Sequence, residues 1–165
     1  MPEVKYVLDA NVFIEAKNRY YAFDIVPKFW ECLKEHAATG RTRSIDRVKG
    51  ELVKGKDELA DWASKKCPEA FDSTDDDKVI AAFRQIMVWV QSQPHFMDAA
   101  KTQFAECADG WLVAYAQVHD CTVVTHEELR AGAKKRVMIP NICRAFNVPW
   151  VDTFTMLRGL GVRLA

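Results

Sequence analysis

Short, nearly continuous apolar runs alternate along the chain with longer stretches in which apolar positions recur every third or fourth residue. The first run, Val4 to Leu8, ends at Asp9-Ala10-Asn11. It predicts a buried strand feeding a turn, with Val12, Phe13 and Ile14 opening a helix. Residues 25–38 place Val26, Phe29, Trp30, Leu33 and Ala37 at helical spacing, and Gly40 closes that helix. Arg41 to Ile45 reads as a second short strand, after which Ser44 or Asp46 caps a helix carrying Glu51, Leu52 and the segment Leu59 to Trp62. Residues 65–78 are polar and read as a loop, whose acids Asp75, Asp76 and Asp77 suit the positive N-terminus of a helix from Val79 to Gln91.

Further on, Pro94 starts a short helix reaching Ala105, and Asp109 opens a strongly apolar one reaching Val118. Cys121 to Thr125 is β-branched and apolar, a buried strand. Lys135 to Ile139 reads as another short strand, Ile142 to Phe146 as helix, and Pro149 to Val151 as extended. A last helix spans Thr153 to Leu160, with Gly159 and Gly161 ending it. Strands alternating with helices predict an α/β chain, a three-layer α/β/α sandwich around a parallel sheet. The almost wholly helical stretch from 46 to 119 reads as an insertion between neighbouring strands.

Composition narrows the picture. With 165 residues, 49% hydrophobic and 28% charged, the chain reads as one folded domain over 1–165 and not as a disordered segment. Its 23 basic and 23 acidic residues cancel, so any nucleic-acid contact must come from a local patch and not from a global field. Five cysteines without a C-x-x-C pair exclude a zinc knuckle or a redox motif, and suit free thiols in a reducing cytoplasm. No apolar stretch approaches a membrane span, so a soluble cytoplasmic protein is expected.

Four acids stand in distinctive frames: Asp9 after the first strand, Glu51 in Val48-Lys49-Gly50-Glu51-Leu52, Asp109 before the apolar helix, and Glu127 in Val123-Val124-Thr125-His126-Glu127. Each has a plain alternative. Asp9 and Asp109 could be helix caps, Glu51 a solvated helix residue, and Glu127 has a rival beside it in Glu128. Asn11 could cap a helix or orient Asp9. Two of the acids follow strands, where ligand clefts of open α/β sheets lie. Gathered at one place, four carboxylates repel one another unless a cation joins them, so the arrangement points to metal.

In this order the motifs resemble those of PIN domains. Val7-Leu8-Asp9-Ala10-Asn11 looks like the family's opening motif, followed by Glu51-Leu52, by Asp109 with Leu112 and Ala114, and by Val124-Thr125-His126-Glu127. Residues 4–157 are covered. The chain departs from the family in having Glu where the fourth acid is usually Asp, and in lacking the basic charge common among the RNA-cleaving toxins. The resemblance implies a Mg²⁺- or Mn²⁺-dependent ribonuclease, the toxin of a VapC-type pair with an antitoxin protein as partner and the capacity to form a homodimer. It implies that Asp9 and Asp109 hold the principal metal, that Glu51 binds it directly or through water, and that Glu127 completes the site. Asn11 and Thr125 would orient the carboxylates. Hard divalent ions do prefer carboxylate oxygens, and no Ser-His-Asp set, Walker loop or glycine-rich dinucleotide turn competes.

For the RNA, basic residues are densest from Arg41 to Lys56, where Arg43, Arg47, Lys49 and Lys54 bracket Glu51; Arg130 and Lys134 to Arg136 form a second cluster. The plain alternative is two solvated helix faces. His126 reads either as a proton carrier or ligand, or as a structural residue at a strand end. Trp30, Trp62, Trp89 and Trp111 lie at core-like spacing and are not expected to stack on bases. Two rival readings are a PIN-like module that binds RNA or protein without cutting, and a phosphatase of the haloacid dehalogenase kind. The latter chemistry needs a second Asp two residues after the first, where this chain has Asn11.

Overall fold

Tyr6–Leu8 (β1) is the middle strand of a five-stranded sheet whose neighbours all pair in parallel, in the order β3-β2-β1-β4-β5. The computed structural model describes residues 3–164. The other strands are Thr42–Ile45 (β2), Phe71–Asp72 (β3), Thr122–Val124 (β4) and Trp150–Val151 (β5). All three residues of β1 are buried, as expected of a central strand in a sheet flanked by helices. Tyr6 stands opposite Thr42 on one side and Thr122 on the other, and Leu8 opposite Val124.

The helices are Ala10–Glu15 (α1), Pro27–Ala38 (α2), Asp46–Val53 (α3), Glu58–Asp61 (α4), Asp77–Ser92 (α5), Asp98–Glu106 (α6), Asp109–His119 (α7), Ile139–Ala145 (α8) and Thr153–Gly159 (α9). A wider turn, Ala16–Tyr20, extends α1. Several expected signals operate. Gly40, with φ of 80°, follows α2, and the Asp76 carboxylate accepts from the backbone N–H groups of Lys78 and Val79 at the start of α5. Leu112, Val113 and Ala114 of α7 are fully buried, as the apolar run required.

Several expectations need correction. Phe71–Asp72 is a strand where a loop was predicted. Two residues are too few to show a period, and tertiary contacts hold them: Ser44 pairs with Phe71, Arg43 donates to the Glu69 carbonyl at 2.8 Å, and the Tyr115 hydroxyl donates to Asp72. The segment from 46 to 119 therefore contributes an edge strand, and the strands either side of it, β2 and β4, flank β1 without touching each other. Next, α3 and α4 are separate helices, because the chain turns at Gly55 and Lys56 (φ 51°) and Asp57 caps anew. Ser44 does not cap α3, since it lies in β2 and donates to the Leu8 carbonyl; Asp46 is the helix's first residue and not its cap, and its carboxylate accepts from the Arg47 backbone N–H at 2.8 Å and from Thr74. Then Lys135 to Ile139 is not a strand, since β5 already occupies the free edge of β4 and the charges of Lys134, Lys135 and Arg136 are exposed. Finally, α6 begins at Asp98 and not at Pro94.

Among the described residues no helix is long and apolar enough to cross a membrane. The five cysteines are free, and Cys67, Cys121 and Cys143 are buried. Close packing on β1 gives a first prediction. A Cβ on Gly159 would overlap the hydroxyl of buried Tyr6. Gly159→Ala should therefore cost about 1–3 kcal/mol of stability, read from denaturant midpoints, whereas the same change at Gly50, where a Cβ meets nothing within 4 Å, should not.

Candidate active site

The strand order places a topological switch point between β1 and β4, and the crevice beyond their carboxyl ends is where open parallel sheets bind ligands. Asp9 occupies that position. It leaves β1 with its backbone N–H bonded to the Val124 carbonyl and is only 2% exposed. Although it precedes α1, its side chain makes no capping bond. Its partner is Thr125, whose hydroxyl donates to Oδ2 at 3.2 Å and accepts from the Glu127 backbone N–H at 3.1 Å. One threonine thus ties the end of β1 to the end of β4.

Asp109 arrives from the start of α7, again without capping it. Glu51 reaches across from α3 instead, and its Oε1 accepts from the Ala108 backbone N–H at 3.0 Å. It satisfies a donor at the mouth of the helix and is not a solvated surface residue. Glu51→Ala should accordingly cost about 1–2 kcal/mol of stability in chemical unfolding, with Glu51→Gln, which keeps an acceptor, recovering part of it. Glu127 follows β4 with its side chain only 7% exposed, while Glu128 is exposed. Its Oε1 accepts from the Ile139 backbone N–H at 3.4 Å and pairs with Arg136 at 3.5 Å. Its Oε2 is buried and has no partner.

The electrostatics follow from burial. Desolvation pushes the Asp9 carboxyl well above the ordinary carboxylate value, and the charges of Asp109 and Glu127 push it further. Desolvation, then Glu127 and Glu51, raises Asp109 to about 7. Glu127 is raised by burial, with Arg136 opposing. These acids feel one another, yet among the described residues no three His, Cys, Asp or Glu side chains converge as a group that could hold an ion. Glu51 and Glu127 each spend an oxygen on a backbone N–H; Asp9, Glu51 and Asp109 line one cleft, whereas Glu127 lines the neighbouring pocket and reaches the cleft through Arg136. The cleft has a volume of about 220 Å³ and is bounded by Asp9, Asn11, Glu51, Cys107, Asp109 and Arg136. Its donor set, hard carboxylate oxygens raised by burial and then by one another, with an unpartnered buried oxygen of Glu127 beside it, fits a hard divalent cation.

Residues 6–164 match a family described as "Domain of unknown function (DUF4411)". The chain belongs to the DUF4411 family. No curated protein matches it. Among solved structures, this DUF4411 chain is similar to a chain of VapBC2 from Rickettsia felis bound to a DNA fragment from their promoter, with a TM-score of 0.58, 14% identity, and 90% of this chain and 98% of that one covered. It is also similar to a chain of FitAB bound to an IR36 DNA fragment (TM-score 0.54, 18% identity, 89% and 94% covered). A third similarity is to FitAcB from Neisseria gonorrhoeae (TM-score 0.50, 21% identity, 88% and 95% covered). The shared feature is the fold, which is PIN-like.

Sequence reasoning about the DUF4411 chain missed part of the cleft. Asn11 lines it but makes no hydrogen bond to Asp9; Thr125 alone does that. None of Arg43, Arg47, Lys49 and Lys54 lines it. Arg43 is engaged with Glu69 and Asp72, and Arg47 bonds Thr74 and lies over the Trp111 ring at 3.8 Å. The basic residue that does line it is Arg136, from the second cluster. Cys107 was not foreseen. Burial pushes its thiol up to about 12, and no motif signals it.

Proposed function

We propose that this chain is a Mg²⁺- or Mn²⁺-dependent endoribonuclease of the VapC kind, held in check by an antitoxin protein. The observation that carries the reading is the placement of Asp9 and Asp109, two buried carboxyls brought from separate elements to the sheet's switch point, both raised above their ordinary value, chiefly by burial. Asp9 and Asp109 would hold the cation, Glu127 would offer its unpartnered oxygen, and Glu51 would stand close by. Bound there, a divalent ion supplies charge neutralisation for a phosphate and acidifies an attacking water.

The chain's own residues do the positioning. Thr125 fixes the Asp9 carboxylate, as outer groups do around metal ligands. Glu51 locks α3 against the start of α7 and so fixes Asp109 in place. Arg136, half exposed at the cleft, has the charge and reach to leave Glu127 and meet a phosphate of the RNA. The similar complexes VapBC2 and FitAB support a protein partner. A second reading, a PIN-like module that binds RNA without cutting, is favoured by the Arg136 to Glu127 ion pair, which already neutralises part of the cleft.

Incubating cation-stripped protein with short RNAs and the matching DNAs, with Mg²⁺, Mn²⁺ or EDTA, separates the readings. Cleavage of RNA that needs the cation supports the nuclease, and retention of RNA without cleavage supports the silent module. Cleavage undiminished by EDTA sinks the metal mechanism.

A further inference from the structure

Beside the carboxylate cleft lies a second pocket of about 530 Å³, and two of its lining residues reach residues of the cleft, Thr125 through its hydrogen bond to Asp9 and Glu127 through its ion pair with Arg136. Its outer lining has a different character. Tyr20 and Phe154 are 50% and 48% exposed, which is costly for aromatic side chains without a partner. The Tyr20 ring lies within 18° of parallel to the His126 imidazole, with centroids 6.4 Å apart, and meets Phe154 edge-on at 76°. His126 is held in that pose by Thr153, Nε2 to Oγ1 at 2.9 Å. The charged groups lining the pocket are all acceptors, the carboxylates of Glu127, Glu128 and Asp152, and the Thr153 hydroxyl is engaged with His126. Asp152 is committed to capping α9 through Thr155 N–H. Glu128 has no hydrogen bond or ion pair among the described residues.

We infer that this pocket binds the guanine base of the nucleotide next to the phosphate in the cleft, with Tyr20 stacking on the base and Glu128 reading its edge. The inference rests on the nuclease reading for its placement beside a scissile phosphate. Stacking on aromatic rings is available to every base. A carboxylate, which only accepts, discriminates: guanine presents N1–H and N2–H side by side to its two oxygens, whereas adenine, cytosine and uracil offer one donor or non-adjacent ones. Three acidic neighbours, Glu127, Glu128 and Asp152, would repel the RNA backbone, so the phosphate must be met from the cleft side, where Arg136 stands and a cation would bind.

Binding of the four nucleoside 5′-monophosphates to the full chain in EDTA, followed by protein NMR, tests the pocket apart from catalysis. The guanosine compound should bind about tenfold or more tightly than the other three. Glu128→Gln should collapse that preference to about twofold, and Tyr20→Ala should weaken all four by about tenfold. Both side chains are exposed, so the variants keep the fold, which their spectra check. Equal binding of all four, no binding of any, or a preference unchanged in folded Glu128→Gln overturns the inference. If guanosine monophosphate is preferred but RNA stays intact with Mg²⁺ and Mn²⁺, the nuclease reading fails and the base pocket stands.

Discussion

Asp9→Asn is expected to lower RNA hydrolysis by about a thousandfold while raising the melting temperature of the cation-free protein at neutral pH. The two effects share one cause. Asp9 is 2% exposed and its charge is opposed first by burial, then by Asp109 and Glu127. In a catalytic cleft that unfavourable charge is what a divalent cation answers. Without the cation it is a cost to folding, which a neutral side chain of the same shape removes. Thr125 can still donate to the amide oxygen, so the hydrogen bond at the end of β1 survives. A gain on the order of 1 kcal/mol corresponds to a rise of about 2–4 °C for a chain of this size. Hydrolysis rates and calorimetric melting of the same preparations decide it. A variant that loses activity and also melts lower would mark Asp9 as a structural residue only.

The second large effect is on pH dependence. Asp109 has a carboxyl raised from 3.8 to about 7, chiefly by burial, and Asp9 and Glu127 are raised as well. Such groups hold their protons to higher pH in the folded protein than in the unfolded chain. The stability they contribute is present at pH below the unfolded value and is lost as pH rises through the folded one. The cation-free protein should thus lose about 1–2 kcal/mol between pH 4 and pH 7 and level off above, a figure reduced from the full shift because the acids titrate together beside Arg136. Asp57 and Asp152, whose carboxyls are held low by Lys17 and by Thr155, act the other way, and their contribution is lost only as pH falls further into the acid range. Melting temperatures across this range check the sign. Mn²⁺ should flatten the slope, as should Asp109→Asn. A melting temperature that climbs steadily from pH 4.5 to pH 8 would contradict the raised carboxyls.

The sequence carries the fold wherever local pattern and tertiary demand agree. Val4 to Leu8 and Cys121 to Thr125 read as buried strands because strands covered on both faces are apolar throughout, and they lie side by side in the sheet. The Asp76 cap was legible for the same reason, since its partners are two and three residues away. Features that depend on distant contacts were not. Phe71–Asp72 is a strand because Ser44, Arg43 and Tyr115 hold it, and nothing in two residues announces that. Lys135 to Ile139 has the local look of a strand, but the sheet edge it would need belongs to Trp150–Val151.

The candidate site divides along the same line. Asp9 and Asp109 were visible because each sits at the junction of an apolar run and a turn. The inward choice of Glu127 over Glu128 depends on Ile139 and Arg136, which are remote in sequence, and so stayed open until the fold was known. The density of charge from Arg41 to Lys56 suggested the RNA surface, yet Arg43 and Arg47 spend their guanidinium groups on Glu69, Asp72, Thr74 and Trp111. Charge density along a chain does not say which way side chains face.

Calorimetric titration of Mn²⁺ into the cation-free protein at pH 7 tests the central claim most directly, with the Asp9→Asn, Asp109→Asn double variant as the comparison. Wild type should bind Mn²⁺ and release protons as it does so, because burial raises the Asp109 carboxyl to about 7 and a cation displaces the proton it holds. The folded double variant should show neither binding nor proton release, whereas Mn²⁺ binding of equal strength in both proteins would contradict a cation site built on these two carboxylates.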